Sequence, residues 1–370
     1  TNPTFALLGS VLMLTQEAFI AQSSLMLPEI FISLLVMTTI YFLITDHILW
    51  YIISATILVL TKESGLVVVA AASLIYFSHL IRQYLAKHHS FSKLIKESLL
   101  LFLPIITGLA FYAIQKATFG WFLFPLHVQM TNFSQEVITN HLLVIWQFVF
   151  WGYGRKNLFV LLVIICFLAL LSALYQRKKF NNTVCKLTVM LLIVFCCYAL
   201  FSAINYISLR YLMPLIALFI FLLTVWGYQL YKIGYRFMGF LMLVSIGLAL
   251  FHDFTDEPTW IDDVSINYAD NIIVQQSAIN FMESSAPNSA TICTNYTLYY
   301  LLTHPELSAI RGSAFSNVIR DTLINDADFY IFCNYPLVES YYDAVKSNDA
   351  FHSIKKFEKG NAWCEIFARK

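Results

Sequence analysis

Long apolar runs broken by short polar or charged stretches dominate residues 1–251. A bilayer crossing needs about 20 mostly apolar residues, and the pattern predicts nine spanning helices. They lie at 5–21, 29–45, 48–61, 64–80, 98–115, 158–175, 184–204, 212–230 and 237–251. Only Asp46 and His47 separate the second run from the third, so these two form an antiparallel hairpin. A shorter run at 142–153 ends in Gly152-Tyr153-Gly154-Arg155-Lys156. It is too short to span comfortably and reads as an interfacial helix within an outer loop, 117–157.

Past residue 251 the periodicity changes. Ile266, Ile273, Ile279 and Phe281 give 265–284 helical spacing, and β-like runs follow at 290–294 and 328–333. The stretches 352–357 and 362–368, around Lys359-Gly360-Asn361, read as a hairpin. The expected fold is a polytopic α-helical membrane domain, 1–251, followed by a C-terminal α/β domain, 252–370.

Composition agrees: 59% of the 370 residues are hydrophobic and 12% charged, about half the charge of a typical soluble chain. That excludes a disordered protein, a basic nucleic-acid binder and an ordinary cytosolic enzyme. The net charge of +1 hides two unlike parts. Residues 1–251 hold 15 Lys/Arg against 6 Asp/Glu, a net +9, and residues 252–370 hold 8 against 16, a net −8.

Short cytoplasmic loops collect Lys and Arg. The loops 81–97, 176–186 and 231–236 carry ten of the positive charges and face the cytoplasm under this rule. Segments 21–28, 117–157 and 205–211 then face outward, and so does the acidic tail. The expected location is a bacterial inner membrane with the C-terminal domain extracytoplasmic.

Thr1 opens the chain and no basic segment precedes the first apolar run. A signal peptide is therefore not expected, and a processed or truncated start is. Cys166, Cys185, Cys196 and Cys197 belong to apolar helices, while Cys293, Cys333 and Cys364 lie in the tail. Three tail cysteines at no metal-like spacing predict neither a disulfide framework nor a zinc site. The tail also lacks a Gly-rich phosphate loop, a His-Glu-x-x-His sequence and a nucleophile elbow.

Charges at a membrane edge are functional candidates, and this topology gathers Glu29, Lys62 with Glu63, Arg155 with Lys156, and Arg210 on the outer side. Each also has an ordinary reading. Glu29 follows Pro28 at a helix start, where an acid is at home, and Lys62 at a helix end can snorkel, paired with Glu63 or Glu29. Arg210 is the sharper case. A guanidinium at the positive end of a helix is mildly repelled unless an anion joins both, so an anion site is favoured. Cations and a carboxylate beside apolar helices suit an amphiphile with a phosphate head. The aromatic stretch Gly120-Trp121-Phe122-Leu123-Phe124-Pro125-Leu126-His127 could cover a lipid or stack on a sugar, or serve as an interfacial belt.

These segments occur in the order Ala21-Gln22-Ser23 to Leu27-Pro28-Glu29, Leu60-Thr61-Lys62-Glu63-Ser64-Gly65, Gly120 to His127, and Arg210-Tyr211-Leu212-Met213-Pro214. In that order the chain resembles GT-C-type glycosyltransferases, specifically bacterial members of the protein O-mannosyltransferase and aminoarabinose-transferase group. The likeness runs from Ala21 to about Pro214. It implies an enzyme that moves a sugar from a polyprenyl-phosphate-linked donor to a hydroxyl of an extracytoplasmic protein, lipid or glycan. It implies that Glu29 positions the acceptor or a cation, at a place where Asp is commoner, and that Lys62 and Arg210 bind the donor phosphate. Glu63, Trp121, His127, Arg155 and Tyr211 become substrate contacts. The main catalytic acid of the family would lie upstream of Ala21, so the chain looks like roughly the last three quarters of such an enzyme. The likeness leaves room for a divalent cation and names no other cofactor. Partners are the lipid-linked donor, membrane lipids and the acceptor, with no nucleic acid. Two other readings stand beside it: a flippase or transporter for lipid-linked sugars, which should show inverted repeats and broken helices at mid-membrane, and a non-enzymatic membrane scaffold.

Overall fold

The computed structural model describes residues 2–24, 28–87, 90–123, 125, 128, 131–152, 154–174, 180–205, 207–255, 264–265, 268–307, 309–320, 322–323, 326–334 and 339–370. The chain divides into two compact units, Thr1–Thr255 and Asp256–Lys370.

The first unit is helical. Its elements are α1 (Pro3–Leu14), α2 (Glu17–Ser24), α3 (Glu29–Ile44), α4 (Ile48–Thr61), α5 (Glu63–Leu85), α6 (Phe91–Phe119), α7 (Gln135–Trp146), α8 (Lys156–Leu174), α9 (Asn182–Ile204), α10 (Met213–Lys232) and α11 (Met238–Thr255). A π-turn, Gln147–Trp151, extends α7, and a 3₁₀ turn, Leu209–Leu212, leads into α10. The α10 helix is the hub, packed against α1, α3, α8, α9 and α11. Elsewhere the unit turns apolar side chains outward. Leu99, Leu103, Ile106, Leu109 and Ile114 along α6 are all exposed, far more apolar surface than a water-soluble monomer presents.

Among the described residues five helices, α5, α6, α8, α9 and the Leu209–Lys232 segment, are long and apolar enough to cross a membrane. The expected span 5–21 is instead two helices bent by 73°. The cause is local: Thr15 Oγ1 and Gln16 Nε2 both donate to the Leu12 carbonyl, at 3.0 and 2.9 Å. Such side-chain bonds compete with the backbone ladder. The helices α3 and α4, with 16 and 14 residues, and α11 are apolar but shorter than a full crossing. The basic loop 81–97 contracts, because α5 runs on to Leu85 and α6 begins at Phe91, so most of its charges sit on helix ends.

Polar groups inside this unit pair across helices. Tyr51 donates to the Leu101 carbonyl at 3.1 Å and lies 2.7 Å from Ser73 Oγ. Pro104, within α6, disrupts the regular ladder there, and the Tyr51 bond serves a carbonyl of that loosened turn.

The second unit holds a five-stranded sheet ordered β2-β1-β3-β5-β4. The strands are β1 (Thr291–Thr294), β2 (Asn317–Arg320), β3 (Phe329–Cys333), β4 (Phe351–Lys359) and β5 (Ala362–Arg369). The helices are α12 (Tyr268–Ser285), α13 (Tyr296–Thr303) and α14 (Glu339–Lys346). Strand β1 runs parallel to β2 and β3, and β5 runs antiparallel to β3 and β4. The expected helix, both β-like runs and the terminal hairpin are all present, and β2 is an addition. Side chains alternate between two buried faces. Ile331, Cys333, Cys364 and Ile366 pack with Val274, Ile279 and Met282 of α12, while Tyr330, Phe332 and Phe367 pack with Val345 and Phe351.

One expectation is corrected here. Cys333 and Cys364 form a disulfide. The antiparallel register of β3 and β5 sets them directly opposite each other, a pairing that linear spacing cannot reveal.

Candidate functional site

A single residue, Lys62, connects α4 to α5. Its extended backbone, φ −160° and ψ 148°, turns the chain sharply, and the Gly65 amide donates to the Lys62 carbonyl at 2.9 Å. A Cβ on Gly65 would overlap the Leu58 carbonyl oxygen. Glycine is therefore what lets the two helices close this elbow and present Lys62 and Glu63 together. We expect Gly65→Ala to cost about 1–3 kcal/mol through the overlap and to move Lys62, visible as a lowered Tm in detergent. An unchanged Tm would show that the elbow can relax.

Glu29 opens α3 behind Pro28 and is only 2% exposed. Its Oε1 lies 3.2 Å from Lys62 Nζ and 3.9 Å from Arg210 Nε. Its Oε2 is sealed from solvent and has no hydrogen-bond partner among the described residues. Two cations thus share one carboxylate oxygen, which leaves this trio one positive charge in excess. Burial pushes the Lys62 ammonium below the usual lysine range, and Glu29 works against that.

Tyr211 completes the cluster. Its ring centroid lies 3.2 Å from Lys62 Nζ and 5.2 Å from Arg210 Cζ, a cation–π arrangement, and Arg210 Nη2 reaches its hydroxyl at 3.5 Å. The backbone at Tyr211 is tied to α9, where the Tyr198 hydroxyl donates to the Tyr211 carbonyl at 2.9 Å. Pro214 in the first turn of α10 fixes where that helix begins.

Beside this cluster a cleft opens to the exterior. Lys62, Glu63, Ser64 and Tyr211 line one part; Thr131, Phe201, Ser202, Asn205 and Ile207 line another; Leu123, Val128 and Leu212 add apolar wall. Asn205 is held by Thr131 Oγ1, which donates to its Oδ1 at 3.3 Å, and by its own Nδ2 donating to the Phe201 carbonyl at 2.7 Å. The loop before α7 is tied to the same place through the Asn132 amide and the Ile204 carbonyl, 2.9 Å apart.

No protein-family model, curated protein or solved structure matches this chain.

Of the residues singled out in the sequence, Glu29, Lys62, Glu63, Arg210 and Tyr211 come together here. Trp121 does not line the cleft; its ring stacks on Phe119 at 5.7 Å. Arg155 is fully buried rather than presented to a substrate. Its Nε donates to the Phe148 carbonyl at 2.6 Å and its guanidinium lies over the Phe148 ring. It braces the π-turn, where the Gly152 amide reaches back to the Gln147 carbonyl. His127 lies outside the described residues. Among the described residues no group of three or more His, Cys, Asp or Glu side chains could hold a metal ion. Tyr198, Thr131, Ser202 and Asn205 were not foreseen. A tyrosine inside an apolar helix, whose hydroxyl needs a partner, was the available signal for the first.

Proposed function

We propose that the chain is a membrane glycosyltransferase that uses a polyprenyl-phosphate-linked sugar donor. The observation that carries this reading is the meeting of Lys62, which lines a largely apolar cleft, with Arg210 on the buried Glu29. Cations beside apolar walls suit a phosphate attached to a lipid. Glu29 sets the two cations in place before substrate arrives, and preorganised charge stabilises negative charge that develops in a transition state. The step is attack of an acceptor hydroxyl on the anomeric carbon, with the lipid phosphate leaving towards Lys62 and Arg210.

The same reading places nine crossings in a bacterial inner membrane, counting the bent pair α1–α2 and the short helices α3, α4 and α11. Its support is twofold. The starts of α3, α5 and α10, which charge counting assigns to the outer face, meet within ion-pair distance. A disulfide in the second unit suits an oxidising, extracytoplasmic compartment.

The experiment is transfer from radiolabelled undecaprenyl-phosphate mannose, glucose and aminoarabinose by full-length protein in detergent, with cell-envelope glycolipid, glycan and protein fractions as acceptors. Release or transfer of sugar from one donor is expected. No turnover with any donor, alongside lipid movement in liposomes, would make the protein a flippase. A narrower expectation concerns Arg210→Ala. Loss of a charged hydrogen bond is worth about 1.5–3 kcal/mol, so donor affinity should fall by about 10–100-fold while Tm changes little. Unchanged affinity with a lowered Tm would make Arg210 structural.

A further inference from the structure

The second unit has a crevice of its own, placed by the winding of its sheet. Strand β1 runs parallel to both of its neighbours, β2 and β3. From the end of β1 the chain enters α13, whose Leu298 and Leu302 pack with Ile292 and Ile331 on one face. Beyond β3 it enters α14, whose Val345 packs with Tyr330 and Phe332 on the other face. Two adjacent parallel strands thus send their helices to opposite sides. At such a switch point the carboxyl ends of the strands stay open between the helices, and ligands of α/β sheets bind there. A crevice lies at this place. Asn295 lines it at the end of β1, Thr322 and Leu323 just past β2, and half-buried Tyr341 from α14, over the buried rings of Tyr330 and Phe332.

The chemistry of the lining is neutral. No charged side chain is among the described lining residues, and residues 252–370 carry a net charge of −8. Surrounding negative charge disfavours phosphates, carboxylates and nucleotides. Thr322 Oγ1 donates its hydrogen to the Arg320 carbonyl at 3.0 Å, so its oxygen is left to accept. Asn295 Nδ2 donates to the Cys333 carbonyl at 3.3 Å and ties the ends of β1 and β3 together. Tyr341 adds an aromatic face and a hydroxyl. A ligand that donates hydroxyl hydrogens and lays C–H groups on aromatic carbon meets these features together, and a pyranose ring has both. We propose that this crevice binds a neutral sugar residue. The site lies wholly within the second unit, so it holds whether or not the first unit transfers sugar.

The test uses full-length protein in lipid nanodiscs free of glycoside detergent. Methyl mannoside, methyl glucoside, methyl galactoside and N-acetylglucosamine are the neutral probes, with glucose 1-phosphate and inorganic phosphate as anions. Saturation-transfer NMR detects contact and isothermal titration gives the affinity. Saturable binding of at least one neutral sugar is expected, with neither anion binding more tightly. Tyr341→Ala should weaken it about 10-fold and Thr322→Val about 2–10-fold, the value of one hydrogen bond, while Tyr341→Phe keeps most of the affinity. Undecaprenyl phosphate binding should be the same in all three variants as in wild type. Thr322 is exposed, so its variant decides the matter if Tyr341→Ala lowers Tm. No binding of any neutral sugar, or binding unchanged in both Tyr341→Ala and Thr322→Val, would overturn the proposal. Tighter binding of glucose 1-phosphate would make the crevice an anion site and overturn it too. Sugar binding lost in Arg210→Ala and kept in the Tyr341 and Thr322 variants would place the sugar in the first unit's cleft instead.

Discussion

Glu29→Ala should be the most damaging single substitution in the first unit, costing about 3–5 kcal/mol. Removing one partner of a buried ion pair leaves the other charges uncompensated, and here one carboxylate serves two cations. Lys62 and Arg210 retain side-chain exposures of 18% and 28%, so water can reach them in part and the lower end of that range is expected. Glu29→Gln keeps the shape and a hydrogen-bonding oxygen, and should fall between alanine and wild type. Thermal unfolding in detergent gives the size of the effect. A second reading comes from repeating it with undecaprenyl phosphate, whose phosphate would supply the missing negative charge and raise the alanine variant's Tm more than that of wild type. An alanine variant as stable as wild type would mean that the three charges do not depend on one another.

The second large effect belongs to the other unit. The Cys333–Cys364 bond closes a loop with a sequence separation of 31 and joins neighbouring strands in a fully buried core. Loop-closure entropy values such a bond at about 3–4 kcal/mol. Reduction, or the paired substitution Cys333→Ala with Cys364→Ala, should loosen β3, β5 and β4 first, seen as faster amide exchange across those strands in the full-length chain. The compartment can be read from the same cysteines. When whole cells are acid-quenched and then denatured, these two cysteines should resist alkylation until a reductant is added. Ready alkylation without reductant would place the tail in a reducing compartment and contradict the proposed sidedness.

How far the sequence disclosed these features depended on whether the cause was local. The α3–α4 hairpin was legible because Asp46 and His47 interrupt an otherwise apolar stretch, and helices end there. The terminal hairpin was legible because Lys359-Gly360-Asn361 is a turn between alternating runs, and Gly360 indeed adopts φ 52°. The break between α1 and α2 was not, since it depends on which carbonyl two side chains choose. Arg155 looked like an outer-surface charge because it follows Gly-Tyr-Gly, yet it folds inward to serve a carbonyl exposed by the π-turn. The disulfide is a matter of strand register, which no cysteine spacing encodes. For the site, counting charged loops assigned Glu29, Lys62 and Arg210 to one face. Their convergence on a single carboxylate oxygen, and the cleft beside it, required the packing of α3, α4, α5, α9 and α10.

Recognition of a lipid phosphate by this cluster is measurable as equilibrium binding of undecaprenyl phosphate against undecaprenol. The two ligands share the prenyl chain and differ in the phosphate alone. Saturable binding of the phosphate is expected, weakened by Arg210→Ala and by Lys62→Ala, with binding of the alcohol weaker by about 10-fold or more, the loss of at least one charged hydrogen bond. Equal binding of both ligands, or phosphate binding indifferent to both substitutions, would contradict it.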